Sequence, residues 1–152
     1  MNICLKSITT ENYMVCINLT VNDNQLDFVA ANAFSLAQAA YEPNLYPLAI
    51  YKNDEMVGFI LYDFDEEVIS WSMSRFMLDV KFQHQGIGFI ALQTFIDYFY
   101  AKHGKLPLVT SANVKNTAAI KLYEKVGFVR GEEFSYEVNG KTYDEVRLVL
   151  HS

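Results

Sequence analysis

Two glycines one residue apart stand where an apolar run gives way to a helical pattern, in Leu78-Asp79-Val80-Lys81-Phe82-Gln83-His84-Gln85-Gly86-Ile87-Gly88-Phe89. A strand, a loop and a helix start with this spacing aim unpaired backbone N–H groups and the positive helix end at one point, which suits a phosphate or pyrophosphate. Glycine also removes side-chain bulk where a ligand's oxygens must approach the backbone. Gly86-Ile87-Gly88-Phe89-Ile90-Ala91 further fits the G-x-G-x-x-G/A fingerprint of dinucleotide-binding folds, a weak signal alone. That fingerprint needs an acid roughly 20 residues on, at the end of the next strand, to hold a ribose. The matching stretch, Val109-Thr110-Ser111-Ala112-Asn113, has none, so the dinucleotide reading fails.

Other polar residues have simpler readings. Tyr123 shares a helical face with Ala119, Leu122 and Val126, a spacing that by itself describes a core aromatic. Asn113 and Asn116 are natural turn and cap residues, and Gly127 fits the position just past a helix end. His84 lies in the glycine loop, His103 sits at a helix end beside Gly104, and His151 is in the tail. Three scattered histidines and no cysteine cluster offer no metal site. Cys4 and Cys16 lie in apolar stretches without an adjacent base, so buried reduced thiols are expected and a cysteine nucleophile is not. The acids Asp63, Asp65, Glu66 and Glu67 form a solvated turn by default; with Glu42 and Asp27 they could rim a cation site.

The elements that must position these residues follow from periodicity. Ile3–Ser7 alternates like a short strand, and Thr10-Glu11-Asn12 offers a cap for a helix over Tyr13–Leu19. A second helical stretch, interrupted near Asn32, is expected from about Gln25 to Ala40. Leu48–Lys52 and Met56–Phe64 read as a hairpin around Asn53-Asp54-Glu55, followed by a third strand over Val68–Val80. The helix opened by Gly86 and Gly88 carries Phe89, Leu92, Ile96 and Phe99 on its apolar side. Leu108–Ala112 is a buried strand, Thr117–Val126 a helix, and Val129–Val138 with Tyr143–Leu150 a hairpin closed by Asn139-Gly140. This order gives a mixed α/β sheet, mainly antiparallel, rather than an alternating doubly wound one.

The chain has 152 residues, 51% hydrophobic and 14% aromatic, enough for a real core in one domain spanning the whole length. Eighteen acids against twelve Lys and Arg give a net charge of −6. That balance argues against nucleic acid and anionic membrane as partners and permits a small cationic substrate. Two cysteines, no basic n-region at Met1–Lys6 and no membrane-length apolar run point to a cytoplasmic protein.

Gln83-x-x-Gly86-x-Gly88 after a strand resembles the Q/R-x-x-G-x-G/A signature of the GCN5-related N-acetyltransferases (GNATs). Asn113-x-x-Asn116-x-x-Ala119-Ile120-x-Leu122-Tyr123-Glu124-Lys125-Val126-Gly127-Phe128 is similar to that family's later element, in the right order and at about the right gap. Within the family, Gln25–Ala30, Ser35–Ala39, Met56–Phe59 and Arg75–Asp79 resemble bacterial diamine (spermine/spermidine) N-acetyltransferases. The resemblance implies a twisted sheet of six or seven strands flanked by helices, and acetyl-CoA as co-substrate with its pyrophosphate held by Gln83, His84, Gln85, Gly86, Ile87, Gly88 and Phe89. It implies pantetheine and carbonyl contacts from backbone near Phe76, Met77 and Leu78, where strands forced apart at a bulge leave donors unpaired. It makes Asn116 a cofactor contact and Tyr123 the acid that protonates the departing CoA thiolate, a role a phenol of pKa ~10 can fill.

Two positions depart from the family pattern. Gln83-His84-Gln85 stands where Arg or Lys is common, leaving phosphate binding to backbone amides with Lys81 or Lys125 nearby. Ser74 stands where polyamine-acetylating relatives place a glutamate, so the general base is unassigned. The reading is direct transfer of acetyl to a primary amine of a small polyamine. A protein or peptide amine, or a non-catalytic acyl-CoA-binding regulator, is the alternative, and a homodimer is compatible with either.

Overall fold

The computed structural model describes residues 1–151. In chain order the elements are β1 (Ile3–Ser7), α1 (Tyr13–Asn18), α2 (Asn32–Tyr41), β2 (Leu45–Lys52), β3 (Glu55–Asp65), β4 (Ser70–Leu78), α3 (Ile87–His103), β5 (Leu108–Asn113), α4 (Thr117–Lys125), β6 (Val129–Val138) and β7 (Lys141–Leu150), with single 3-10 turns at Asp23–Gln25 and Val80–Phe82. All seven strands join one sheet in the order β1-β2-β3-β4-β5-β7-β6. Every pairing is antiparallel except β4 with β5.

The tight turns follow from residues that tolerate left-handed backbone. Asn53 (φ 55°) turns β2 into β3, while Asn139 (φ 52°) and Gly140 (φ 79°) turn β6 into β7. Two apolar layers cover the sheet. Ile87, Leu92, Phe95 and Phe99 of α3 and Ile120 of α4 bury one face against Ile60, Tyr62, Val146 and Leu148. Cys16 of α1 and Leu36 and Ala39 of α2 cover the other against Phe59, Leu61 and Met77. The central strand β3 is therefore buried on both sides, which is why it reads as a continuous apolar run.

The feature that matters for function is an opening between β4 and β5. Their pairing is limited to Trp71–Met73 against Leu108–Thr110. At that level β4 carries an extra residue, since Leu61 and Tyr62 of β3 pair with Arg75 and Met73, leaving Ser74 as a bulge. A bulge bends and twists its strand. Beyond Ser74, β4 stays with β3 while β5 continues with β7, and the two diverge.

Three expectations need correction. The helix expected from about Gln25 to Ala40 begins only at Asn32. Ahead of it, Asn22 N–H donates to the Gln25 side chain at 3.1 Å and the chain makes one 3-10 turn. Leu26–Ala30 then run as a loop along the opening, and the buried Asn32 amide ties the helix start to Cys16 O at 2.9 Å. Local helix propensity loses here to tertiary contacts. Cys4 is half-buried because β1 is an edge strand; Cys16 is fully buried, and burial pushes its thiol up to about 11. Asn12 precedes α1 but does not cap it with its side chain, which instead bridges Thr9 N and Ser7 O.

Candidate active site

The opening between β4 and β5 is a cleft of about 790 Å³. At one end lies the start of α3. Two deviations into left-handed backbone, at His84 (φ 62°) and Gly86 (φ 79°) on either side of Gln85, turn the loop so that the first helical turn faces the cleft. The first N–H groups of a helix have no intrahelical partner, and no side chain among the described residues caps this one. The loop is braced from below. Asp79 accepts from Lys81 N at 3.0 Å and from Thr20 N at 2.9 Å, and Gln83 Nε2 donates to Leu78 O and Gln25 Oε1, each at 3.0 Å.

The anticipated contacts divide. Gln83, His84, Gly86, Gly88 and Phe89 line the cleft, as do Phe76, Met77, Leu78, Asn116 and Tyr123. Ile87 buries its side chain completely in the core, so only its backbone is available. Gln85 turns away and donates to Lys81 O at 3.1 Å. Lys125 does not line the cleft; its ammonium sits 4.6 Å above the Phe89 ring, a cation beside the helix start. Gly88 allows close packing: a Cβ there would lie 3.0 Å from Leu122 Cδ2 and 3.6 Å from Leu78 Cδ1. Asn116 Oδ1 accepts from Ala119 N at 3.3 Å, so its oxygen caps α4.

Midway along the cleft, Tyr123 is 5% exposed, with its ring 6.3 Å from Phe76 and 5.8 Å from Phe128. Burial drives the phenol's pKa well above its ordinary value, opposed in part by the Thr110 hydroxyl. Tyr123 is therefore a neutral donor across the physiological range. Thr110 in turn donates to Met73 O at 2.9 Å, pinning β4 to β5 at the last paired residue before they part. Past this point alternate N–H groups of β4 turn away from β3 and face the gap.

The other end of the cleft holds Ser111, Tyr136 and Glu145, which sequence reasoning missed. Ser111 Oγ donates to Glu145 Oε1 at 3.1 Å and the Tyr136 hydroxyl to Glu145 Oε2 at 3.0 Å. Arg75 donates to Gln38 Oε1 at 2.9 Å, and burial lowers its pKa against the pull of Asp63 and Glu145. Ser74, on the bulge, donates to Asp63 Oδ2. Burial raises the Asp63 carboxyl above its usual range, with Asp65 and Glu42 adding to the rise and Ser74 and Arg75 opposing it. One signal was available: counting outward from Asn139-Gly140 sets Tyr136 opposite Tyr143 and puts Glu145 on the same side of its strand.

The acids do not form one continuous rim. Asp63, Asp65 and Glu42 gather near Arg75, whereas Asp27 pairs with Lys141 at 3.0 Å and Glu66 accepts from Asn44 at 3.0 Å. His103 is a packing residue, its ring tilted at 38° with its centroid 4.1 Å from that of Trp71 and Nε2 3.0 Å from the Tyr62 hydroxyl. No group of three or more His, Cys, Asp or Glu among the described residues is arranged to hold a metal ion. No helix among them is long and apolar enough to cross a membrane.

Known proteins resemble this chain in sequence and in fold. The chain is 27% identical over 143 residues to the spermine/spermidine N(1)-acetyltransferase of Bacillus subtilis (strain 168), covering 90% of this chain and 93% of that protein. The crystal structure of a spermidine N-acetyltransferase from Vibrio cholerae, in complex with CoA and spermine, aligns with a TM-score of 0.76 at 16% identity, over 97% of this chain and 94% of that one. An acetyltransferase from Salmonella typhimurium that modifies the N-terminal serine of ribosomal protein L7/L12 aligns with a TM-score of 0.77 at 16% identity, over 99% and 95%. These two structural likenesses establish the fold. The model of the acetyltransferase (GNAT) family matches residues 15–128, and the chain belongs to that family.

Proposed function

We propose that this acetyl-CoA-dependent N-acetyltransferase acts on a primary amine of a small polyamine. The observation that carries the reading is the cleft itself: uncapped helix N–H groups at one end, a buried neutral phenol in the middle, and the Glu145 carboxylate at the other. The pyrophosphate of acetyl-CoA has a complementary partner in the first turn of α3. Backbone N–H groups of Phe76–Leu78 are the donors for the pantetheine arm and for the thioester oxygen as it gains charge. Tyr123 then protonates the departing thiolate. Holding both substrates in one cleft supplies much of the rate. The polyamine is supported by the likeness to the Bacillus subtilis enzyme and by the Asp27 and Glu145 carboxylates in the cleft lining.

Steady-state CoA release with spermine, spermidine, a monoamine and an N-terminal peptide, at two ionic strengths, tests the substrate. Each exposed ion pair contributes only about 0–1 kcal/mol and weakens with salt, so selectivity requires several acids. Polyamines should exceed the monoamine in kcat/KM, and added salt should raise KM for the polyamine more. A preference for the peptide, or equal efficiency across amines, overturns the polyamine reading.

A further inference from the structure

We infer that Glu145 is the carboxylate that meets the acceptor amine and takes up its proton, an assignment that rests on the acetyl-transfer reading above. Tyr123 comes from the face covered by α3 and α4, and Val146, Leu148 and Leu150 of β7 point into that same layer. Side chains alternate along a strand, so Glu145 projects to the opposite face, and Ser111 does the same between buried Thr110 and Ala112. Both Glu145 and Tyr123 line the one cleft. Acid and base thus reach the gap between β4 and β5 from opposite sides of the sheet, which is the arrangement a direct transfer requires.

Local contacts prepare Glu145 for this role. A carboxylate offers about four lone-pair positions, and the Ser111 and Tyr136 hydroxyls occupy one on each oxygen. They fix the side chain and leave a position on each oxygen for an incoming N–H. Arg75 of β4 is the cation facing this group, with Tyr136 of β6 and Tyr143 of β7 beside it and Asp63 and Glu42 beyond Arg75. The Tyr136 phenol is pushed up to about 12, first by burial and then by its hydrogen bond to Glu145, so it stays a donor. Of the competing carboxylates, Asp63 carries the Ser74 hydroxyl and lies outside the cleft lining, and Asp27 lines the cleft but pairs with Lys141 at 3.0 Å.

The step balances as follows. Glu145 first takes one proton from the ammonium and releases it to solvent, which frees the lone pair. That lone pair forms the C–N bond at the thioester carbonyl carbon, and the second N–H proton then passes to the same carboxylate. The C–S bond breaks with its electron pair on sulfur, which takes the Tyr123 proton. Solvent returns a proton to Tyr123 and removes one from Glu145, leaving the amide and the CoA thiol.

Glu145→Gln in the full chain tests this, using the amine that wild type acetylates fastest. Thermal melting and acetyl-CoA affinity by calorimetry should be unchanged. At pH 7, kcat/KM for the amine should fall by about 10²–10³, and the deficit should shrink toward pH 9.5, where more amine arrives already neutral. Ser111→Ala combined with Tyr136→Phe keeps the carboxylate but removes its braces; it should lose about tenfold with the wild-type pH slope. Wild-type turnover by Glu145→Gln, or a deficit constant with pH, overturns the assignment while leaving the acetyl-transfer reading intact. Failure of wild type to release CoA with any amine overturns both.

Discussion

A phenol in a dry, aromatic pocket is a poor acid in isolation and a suitable one opposite a thiolate. Burial of Tyr123 raises its pKa, so it keeps its proton until the leaving sulfur gains charge. Tyr123→Phe preserves ring packing against Phe76 and Phe128 and removes only the hydroxyl. Its kcat should fall by about 10²–10⁴ with acetyl-CoA affinity near wild type; a wild-type rate would return Tyr123 to a packing role. Asp63 poses the reverse problem, a carboxyl raised above its ordinary value by burial. Between its unfolded and folded pKa the native state binds more proton, so stability falls as pH rises through that window and the cost persists above it. Asp63→Asn drops the charge and keeps an acceptor for Ser74. It should melt higher than wild type at pH 7, with the gap closing on acidification; a gap that widens toward low pH contradicts this account.

Among the elements, the decisive one is β4. It pairs with β3 along its length but with β5 for three residues only, and the Ser74 bulge marks the point of departure. Its close approach to β3 depends on Gly58, where a Cβ would lie 2.5 Å from Met77 O and 2.8 Å from Leu78 Cδ2. Backbone cannot yield as a side-chain tip can. Gly58→Ala should therefore cost about 1–3 kcal/mol by denaturant titration and weaken acetyl-CoA binding by displacing the Met77–Leu78 segment. Unchanged stability would mean that β4 shifts freely and that the cleft edge is less fixed than its pairing indicates.

At the scale of the whole molecule, the cleft is assembled from parts distant in sequence: the Leu26–Ala30 loop, the bulged half of β4, the start of α3, Tyr123 and the closing hairpin. A ligand that binds only this assembled state must stabilise it. Acetyl-CoA at 100 times its Kd should add about 2.7 kcal/mol, visible as a rise in Tm. His84→Asp places a carboxylate beside the helix start at a left-handed position that Asp tolerates. It should reduce acetyl-CoA affinity at least tenfold and cut the Tm rise at the same ligand concentration by about half or more, while leaving the ligand-free Tm near wild type. An undiminished rise would place the pyrophosphate elsewhere.

The sequence by itself determined what local physics and spacing control. Alternating and apolar runs defined all seven strands to within a few residues, Asn139-Gly140 closed the last hairpin, and Gly86 with Gly88 marked a helix start suited to phosphate. Spacing alone described Tyr123 as a core aromatic, and family resemblance supplied its expected role. Tertiary structure alone decided the rest. Whether Gln25–Ala31 is helical depended on Gln83 and on packing across the chain, not on propensity. Where β4 and β5 part is a property of pairing with two different partners, and no window of sequence contains both. Glu145 reads as one more polar residue on a terminal strand until the sheet order sets β7 beside β5 and the gap opens next to it. Contacts between residues far apart in sequence carry no periodic signal, because what fixes them is the shape of the assembled sheet rather than any local pattern.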